Sequence, residues 1–402
     1  MSTNVDEAPA GPRSERPRVQ VLDALRGIAI LGIFFINLPI MVGPLGKTDA
    51  KSTAPSPEHA GGAIGLLADG TQRGLLQMLF GAGMLLLTAR AARPDGPVAV
   101  ADDYFRRNQW LLGIGLVHVF LVRWAYDIVH VYALAALFLF PFRLVRPTTA
   151  LLLGLTFAAL TLVGAVPGFG GAPGPESGPG VAAGGLARDR AVEMWLATFD
   201  GFGFWSVLLE SLCTMLVGVA LFKWGVLQGL RSRPFYLALA AAAYAVGCTA
   251  RLMAQAPGEH GAPTGWDFGE VGRLSLAVGH IAAVNLAWQT AVGRWLLHPF
   301  IAAGRTALSL YVMQSIVGLW VLASLPGLTR TAGTGDDHLV ATAAIVALVQ
   351  LLTANLYLRF FKSGPVEWVW HRLLNLGRTT PAKKAGTESE GASAPSAQRS
   401  DT

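Results

Sequence analysis

Runs of about 20 apolar residues recur along most of the chain, each long enough to cross a hydrocarbon layer of ~30 Å as a helix. Ten such segments can be marked, at roughly 21–44, 62–90, 106–124, 128–143, 148–168, 203–229, 234–256, 270–291, 299–324 and 338–361. Strands of a membrane barrel would alternate apolar and polar residues, and these runs do not. Only 14% of the residues are charged against 52% hydrophobic, too little charge to cover such a core in water. The expected fold is an all-α polytopic membrane bundle of about ten transmembrane helices. The segment "GPVEWVWHRLL" after the last of them, with Trp368, Trp370, His371 and Arg372, suits an interfacial C-terminal helix.

The first run follows about 20 polar residues, exceeds a signal-peptide core in length and ends without a small-x-small cleavage site, so it reads as the first span. Residues 1–18 and 378–402 have the composition of disordered cytoplasmic tails around one membrane domain at 19–377. The segment "GFGGAPGPESGPGVAAGG" (168–185) can only be a loop. Cys213 and Cys248 lie within apolar runs and fit neither a zinc spacing nor a disulfide framework.

The positive charges set an orientation. Arg13, Arg16, Arg18, Arg90, Arg93, Arg106, Arg107, Arg143, Arg146, Arg231, Arg233, Arg294, Arg359, Lys362 and Arg372 all fall on the side of the N-terminus. Lys47, Lys51, Arg188, Arg190 and Arg330 fall on the other. The positive-inside rule then makes both termini cytoplasmic in a multi-pass protein of the cell membrane. The net charge of +6 is a topology signal on this reading, and no nucleic-acid partner is expected. No internal repeat emerges, which counts against an inverted-repeat transporter.

Polar residues inside spans cost on the order of 2–3 kcal/mol even on lenient insertion scales, so each needs an account. Asp23 and Arg26 share a helix face at the mouth of the first span. They can pair as an anchor, or Arg26 can face an anionic ligand. Asn37 lies eleven residues further on, about 16 Å along the helix, and can serve as interhelical glue or as a ligand group. His59 precedes the second span and Asp69 lies within it. In "GLVHVFLVRWAYDIVHVYA", His118, Arg123, Tyr126, Asp127, His130 and Tyr132 crowd one hairpin. Arg123 can pair with Asp127; His118, Asp127 and His130 can equally form an acid–base group. Glu210, Asn285, Gln314 and Asn355 show no identifying spacing. The sequence lacks a His-x4-Asp signature, a Walker A loop, a G-x-S-x-G turn and a Cys/His metal spacing, so no metal is expected.

The segment "LDALRGIAILGIFFIN" resembles the opening of the YeiB-like membrane family, domain of unknown function 418. The resemblance extends to "LLQMLFGAG" (75–83), "GIGLVHVFLVRWAYDIVHVYAL" (113–134), "GRTALSLYVMQS" (304–315) and "GPVEWVWHRL" (364–373). The opening is also similar to the wider transmembrane acyltransferase superfamily, which includes lysosomal heparan glucosaminide acetyltransferases and O-antigen-type acyltransferases. The O-antigen branch has a histidine at the spacing where this chain has Asn37. The lysosomal branch has an asparagine there and a histidine ten residues before an aspartate, the separation of His59 and Asp69, although the loop before His59 is longer here.

That resemblance implies an acyl-CoA donor, acetyl-CoA by preference, and a hydroxyl or amine acceptor on a sugar, a lipid-linked glycan or a hydrophobic metabolite. It implies that Arg26, beside Asp23, holds the CoA phosphates and that Asn37 binds the thioester carbonyl. His59, oriented through Asp69, would deprotonate the acceptor or carry the acyl group. His118 and Asp127 are the next catalytic candidates. Besides the acyltransferase, a small-molecule transporter and a non-catalytic scaffold or other intramembrane enzyme remain open, and the reading leaves room for a homodimer in the bilayer.

Overall fold

A computed structural model describes residues 19–42, 63–68, 70–90, 96–166, 188–199, 202–254, 266–325, 328 and 337–375. Every described element is helical. The helices are α1 (Gln20–Val42), α2 (Ala63–Ala68), α3 (Thr71–Arg90), α4 (Gly96–Val117), α5 (Val129–Leu139), α6 (Pro147–Leu162) and α7 (Ala191–Ala197). They continue as α8 (Gly203–Lys223), α9 (Arg233–Ala254), α10 (Gly269–Trp288), α11 (Ala291–Arg305), α12 (Ala307–Ile316), α13 (Asp337–Phe360) and α14 (Pro365–Asn375). The tails, the Gly/Pro-rich segment at 168–185, His59 and Asp69 lie outside the described residues.

All ten apolar segments fall on helices, but not as ten uniform spans. Among the described residues, six helices have the length and hydropathy to cross a membrane: α1, α8, α9, α10, Ala307–Ser324 and α13. The segments at 128–143 and 148–168 form shorter apolar helices. The one at 62–90 is split between α2 and α3, which carries Gln72, Arg73 and Gln77. The one at 106–124 covers the second half of α4, a helix that carries Asp102, Asp103, Arg106 and Arg107, and the turn after it. The segment at 299–324 is interrupted at Thr306, where α11 ends and α12 begins.

Leu121, Phe360 and Trp295 are 74%, 75% and 75% exposed, and Leu352, Leu237 and Val292 stand out beside them. Such a surface is unfavourable in water and ordinary against lipid. This is a membrane-embedded helical bundle. Burial also orders the helices, because 78% of the central window of α8 is inside the protein against 22% for α9 and α13. α8 is the hub, and α9 and α13 face outward.

Lipid gives helices no hydrophobic drive to associate, so close backbone packing carries more of the load. Two reciprocal glycine contacts supply it. A Cβ on Gly27 of α1 would stand 2.1 Å from the Phe300 carbonyl oxygen, and one on Gly304 of α11 would stand 1.8 Å from that of Asp23. Between α3 and α8, a Cβ on Gly81 would meet the Met215 carbonyl oxygen at 2.1 Å, and one on Gly218 that of Met78 at 2.1 Å. Backbone oxygens cannot rotate aside, so Gly218→Ala must push α3 and α8 apart. A loss of about 1–3 kcal/mol is expected, the usual cost of overpacking. Thermal unfolding in detergent checks it; an unchanged midpoint would mean that the two helices are not in close contact.

α14 is amphipathic and tied to the bundle. Glu367 accepts from the Leu308 and Ser309 amides at the start of α12, at 2.7 and 3.1 Å, and from the Ser309 hydroxyl. Arg107 stacks over the buried Trp370 ring at 4.3 Å, and Arg106 donates to the Leu374 carbonyl at 2.9 Å. Trp368 faces outward with Arg372 over its ring, as an interfacial helix requires.

Candidate functional site

α4 ends in a π-helical turn, His118–Val122, closed by Arg123 in the left-handed conformation at φ 69°. The chain then doubles back and α5 starts at Val129. The hairpin is tight because Gly115 has no side chain: a Cβ there would stand 2.4 Å from the His130 nitrogen. This places Asp127 between two imidazoles. Its Oδ1 lies 2.7 Å from His118 Nδ1, and its Oδ2 lies 2.8 Å from both His130 Nδ1 and the His130 amide nitrogen. All three side chains are buried.

Hydrogen-bond logic assigns the protons. Burial by itself raises the Asp127 carboxyl, but the hydrogen bonds from His118 and His130 hold it below the usual carboxylate range. An ionised Asp127 only accepts, so both Nδ1 atoms donate to it. His130 Nε2 accepts from Trp195 Nε1 of α7 at 3.2 Å, so His130 is saturated. His118 differs. Its Nε2 is buried with no hydrogen-bond partner among the described residues, and its ring meets Tyr311 of α12 edge-on at 4.9 Å. An imidazole held by a carboxylate at Nδ1, with a lone pair open at Nε2, is the arrangement of a general base. Of the two arrangements open from sequence, the Arg123–Asp127 pair does not form, because both carboxylate oxygens are taken by histidines and Arg123 is exposed.

The remaining candidates divide. Asp23 and Arg26 do pair, at 3.0 Å, yet the Arg26 side chain stays 34% exposed, leaving N–H groups for a further anion. Asn37 is half-buried on α1, and its amide has no hydrogen bond to any described residue. Its neighbours Phe34 and Leu38 belong to the same core cluster as Trp124 of the hairpin and Tyr311 of α12. Two of the scattered amides join helices, Gln314 reaching the Ile30 carbonyl and Gln350 at 2.9 Å each and Asn355 the Pro299 carbonyl at 2.9 Å, whereas Asn285 donates to the Ile281 carbonyl of its own helix at 2.8 Å. Among the described residues no three His, Cys, Asp or Glu side chains converge as metal ligands.

A second polar cluster was not anticipated from sequence. Arg273 of α10 donates to Glu270 Oε2 at 2.8 Å, to Gln77 of α3 at 2.9 Å and to Thr214 of α8 at 2.7 Å, and its Nη2 lies 2.5 Å from Glu210 Oε1. Gln77 donates onward to Glu210 at 3.1 Å and to Ser211 at 3.0 Å, and Arg73 approaches Glu210 at 3.8 Å. Tyr132 of α5 donates to the Arg73 carbonyl at 3.2 Å, tying this cluster to the hairpin of His118.

Residues 221–377 match the family described as "Protein of unknown function (DUF418)". "Uncharacterized protein YxaH" of Bacillus subtilis (strain 168) is 28% identical over 93% of this chain and 98% of its own length. "Uncharacterized protein YeiB" of Escherichia coli (strain K12) is 26% identical over 88% of this chain and 95% of its own. The chain is similar to the YeiB-like DUF418 family, through the family match over residues 221–377 and through these two relatives. The two family relatives align along nearly their whole lengths, so the His118 hairpin, which lies before residue 221, belongs to the region compared with them as well as the C-terminal helices.

Proposed function

We propose that this protein is an integral membrane acyltransferase that moves an acyl group, acetyl by preference, from cytoplasmic acyl-CoA to a hydroxyl or amine. The acceptor class is a sugar, a lipid-linked glycan or a hydrophobic metabolite. The protein would sit in the cell membrane with both termini cytoplasmic, as the distribution of arginines favours. The observation that carries this reading is the buried Asp127–His118 dyad with its open Nε2.

His118 Nε2 takes the acceptor proton while the acceptor oxygen or nitrogen attacks the thioester carbonyl. Asp127 fixes the tautomer and stabilises the imidazolium that forms. Asn37 offers its amide N–H groups to the carbonyl oxygen as charge develops there. The C–S bond then breaks, and the proton on His118 passes to the departing CoA sulfur. Arg26, held in place by Asp23, binds CoA phosphates at the mouth of α1. His118 with Asp127 is the base the described geometry supports; His59, oriented through Asp69, is the alternative base implied by the family resemblance, and both of those residues lie outside the described residues.

One observation favours a transporter instead, namely the buried charges of Glu210, Glu270 and Arg273 inside the bundle, of the kind that line solute paths. CoA recognition separates the two readings. Under acyl transfer, CoA at about 100 times its Kd adds about 2.7 kcal/mol of stability, seen as a raised melting midpoint in detergent. Arg26→Ala is expected to remove most of that gain. A wild-type protein unmoved by millimolar CoA would sink the acyltransferase reading.

A further inference from the structure

α6 and α9 do not close against each other, and between them runs an open groove of about 640 Å³, within the ~300–1,000 Å³ typical of ligand sites. Its floor is α8 and α10, through Val217, Leu221, Leu274 and Val278. The walls are Leu151 and Leu155 on one side and Phe235, Leu239 and Val246 on the other. Nearly all of the lining is hydrocarbon; Arg231 is its one charged residue.

Arg231 stands where the groove meets the α8–α9 turn, which is built on Gly225 and Gly229 at φ 74° and 78°. Its Nε donates to the Trp224 carbonyl at 2.8 Å, and its guanidinium leans toward the Phe235 ring at 5.8 Å. That fixes the side chain at the groove mouth and leaves the two terminal nitrogens without a partner among the described residues.

The dimensions identify the occupant. From Phe235 to Val246 the groove follows eleven residues of α9, about 16 Å at 1.5 Å per residue. Half of a ~30 Å hydrocarbon core is one leaflet. The groove is therefore one leaflet deep, apolar along its length and cationic at the interfacial end, and it opens between two helices whose outer faces carry exposed Leu152 and Leu237. We propose that it holds an acyl chain of an anionic phospholipid of that leaflet, with the lipid phosphate on Arg231. This site is separate from the His118 dyad and stands whether or not the protein transfers acyl groups.

The test uses the full chain in mild detergent, with bound lipid counted by native mass spectrometry after addition of phosphatidylglycerol or phosphatidylcholine of identical chains. One phosphatidylglycerol per chain is expected to be retained in preference to phosphatidylcholine. Arg231→Gln, at an exposed position outside the helices, should lower phosphatidylglycerol retention about five-fold and leave phosphatidylcholine unchanged. Ala243→Phe, which fills the groove, should abolish retention of both in protein whose melting midpoint is preserved. Equal retention of the two lipids by the wild type, or full retention by Arg231→Gln, would overturn the proposal.

Discussion

His118→Asn is expected to lower acyl transfer by about 10²–10⁴-fold, the range a positioned general base contributes, while the protein stays folded. Asparagine is the informative replacement. Its side-chain N–H can stand near the position of imidazole Nδ1 and keep a donor on Asp127 Oδ1, but it has no basic nitrogen to replace Nε2. His118→Ala removes both and leaves a buried carboxylate short of one donor, so it mixes a catalytic loss with a structural one. The measurement is transfer of labelled acetyl from acetyl-CoA into a membrane lipid and glycan extract, beside thermal unfolding of each variant. His130 supplies the contrast. Its Nε2 is already occupied by Trp195, so His130→Asn should cost stability more than turnover. Full activity in His118→Asn would move the base to a residue outside this hairpin.

The helical bundle was legible in the sequence because hydrocarbon thickness imposes a length on every spanning helix, and that length survives as an apolar run. What the runs do not encode is how polar a helix can be when its neighbours shelter it. α3 carries Gln72, Arg73 and Gln77 and still packs at the centre of the bundle, because α8 and α10 supply partners. The Asp23–Arg26 pair was visible because three residues of helix put both on one face. The His118–Asp127–His130 group was visible as a crowd, but not its wiring. Whether Asp127 turns to Arg123 or to the histidines depends on the left-handed Arg123 and on the missing side chain of Gly115, neither of which is a periodic signal. Arg273 is the clearest miss. Its partners on other helices, Gln77, Glu210 and Thr214, are distant in sequence, and the only local trace is a Glu–Arg pair three residues apart in an apolar segment.

Arg273→Met is expected to be the most destabilising single change in the bundle. The guanidinium is buried and serves two buried carboxylates at once, Glu210 and Glu270. Removing it strands Glu270 and leaves Glu210 with Arg73, at 3.8 Å, as its one cationic neighbour among the described residues, and breaking a buried pair from one side typically costs about 3–5 kcal/mol. That is a large part of the net stability of an ordinary domain, about 5–15 kcal/mol. Much of the loss comes from the charges left behind and not from the contacts removed. The variant Arg273→Met with Glu210→Gln and Glu270→Gln should therefore recover most of the melting midpoint, because neutral amides are left near Thr214, Ser211 and Gln77, and the cation beside them, Arg73, is partly exposed. Failure of the triple variant to recover would mean that the hydrogen-bond geometry of Arg273, and not charge balance, holds α3, α8 and α10 together. Recovery of stability without recovery of acetyl transfer would carry a further consequence. The link from this cluster through the Arg73 carbonyl to Tyr132 would then couple the ionic centre to the hairpin that positions His118.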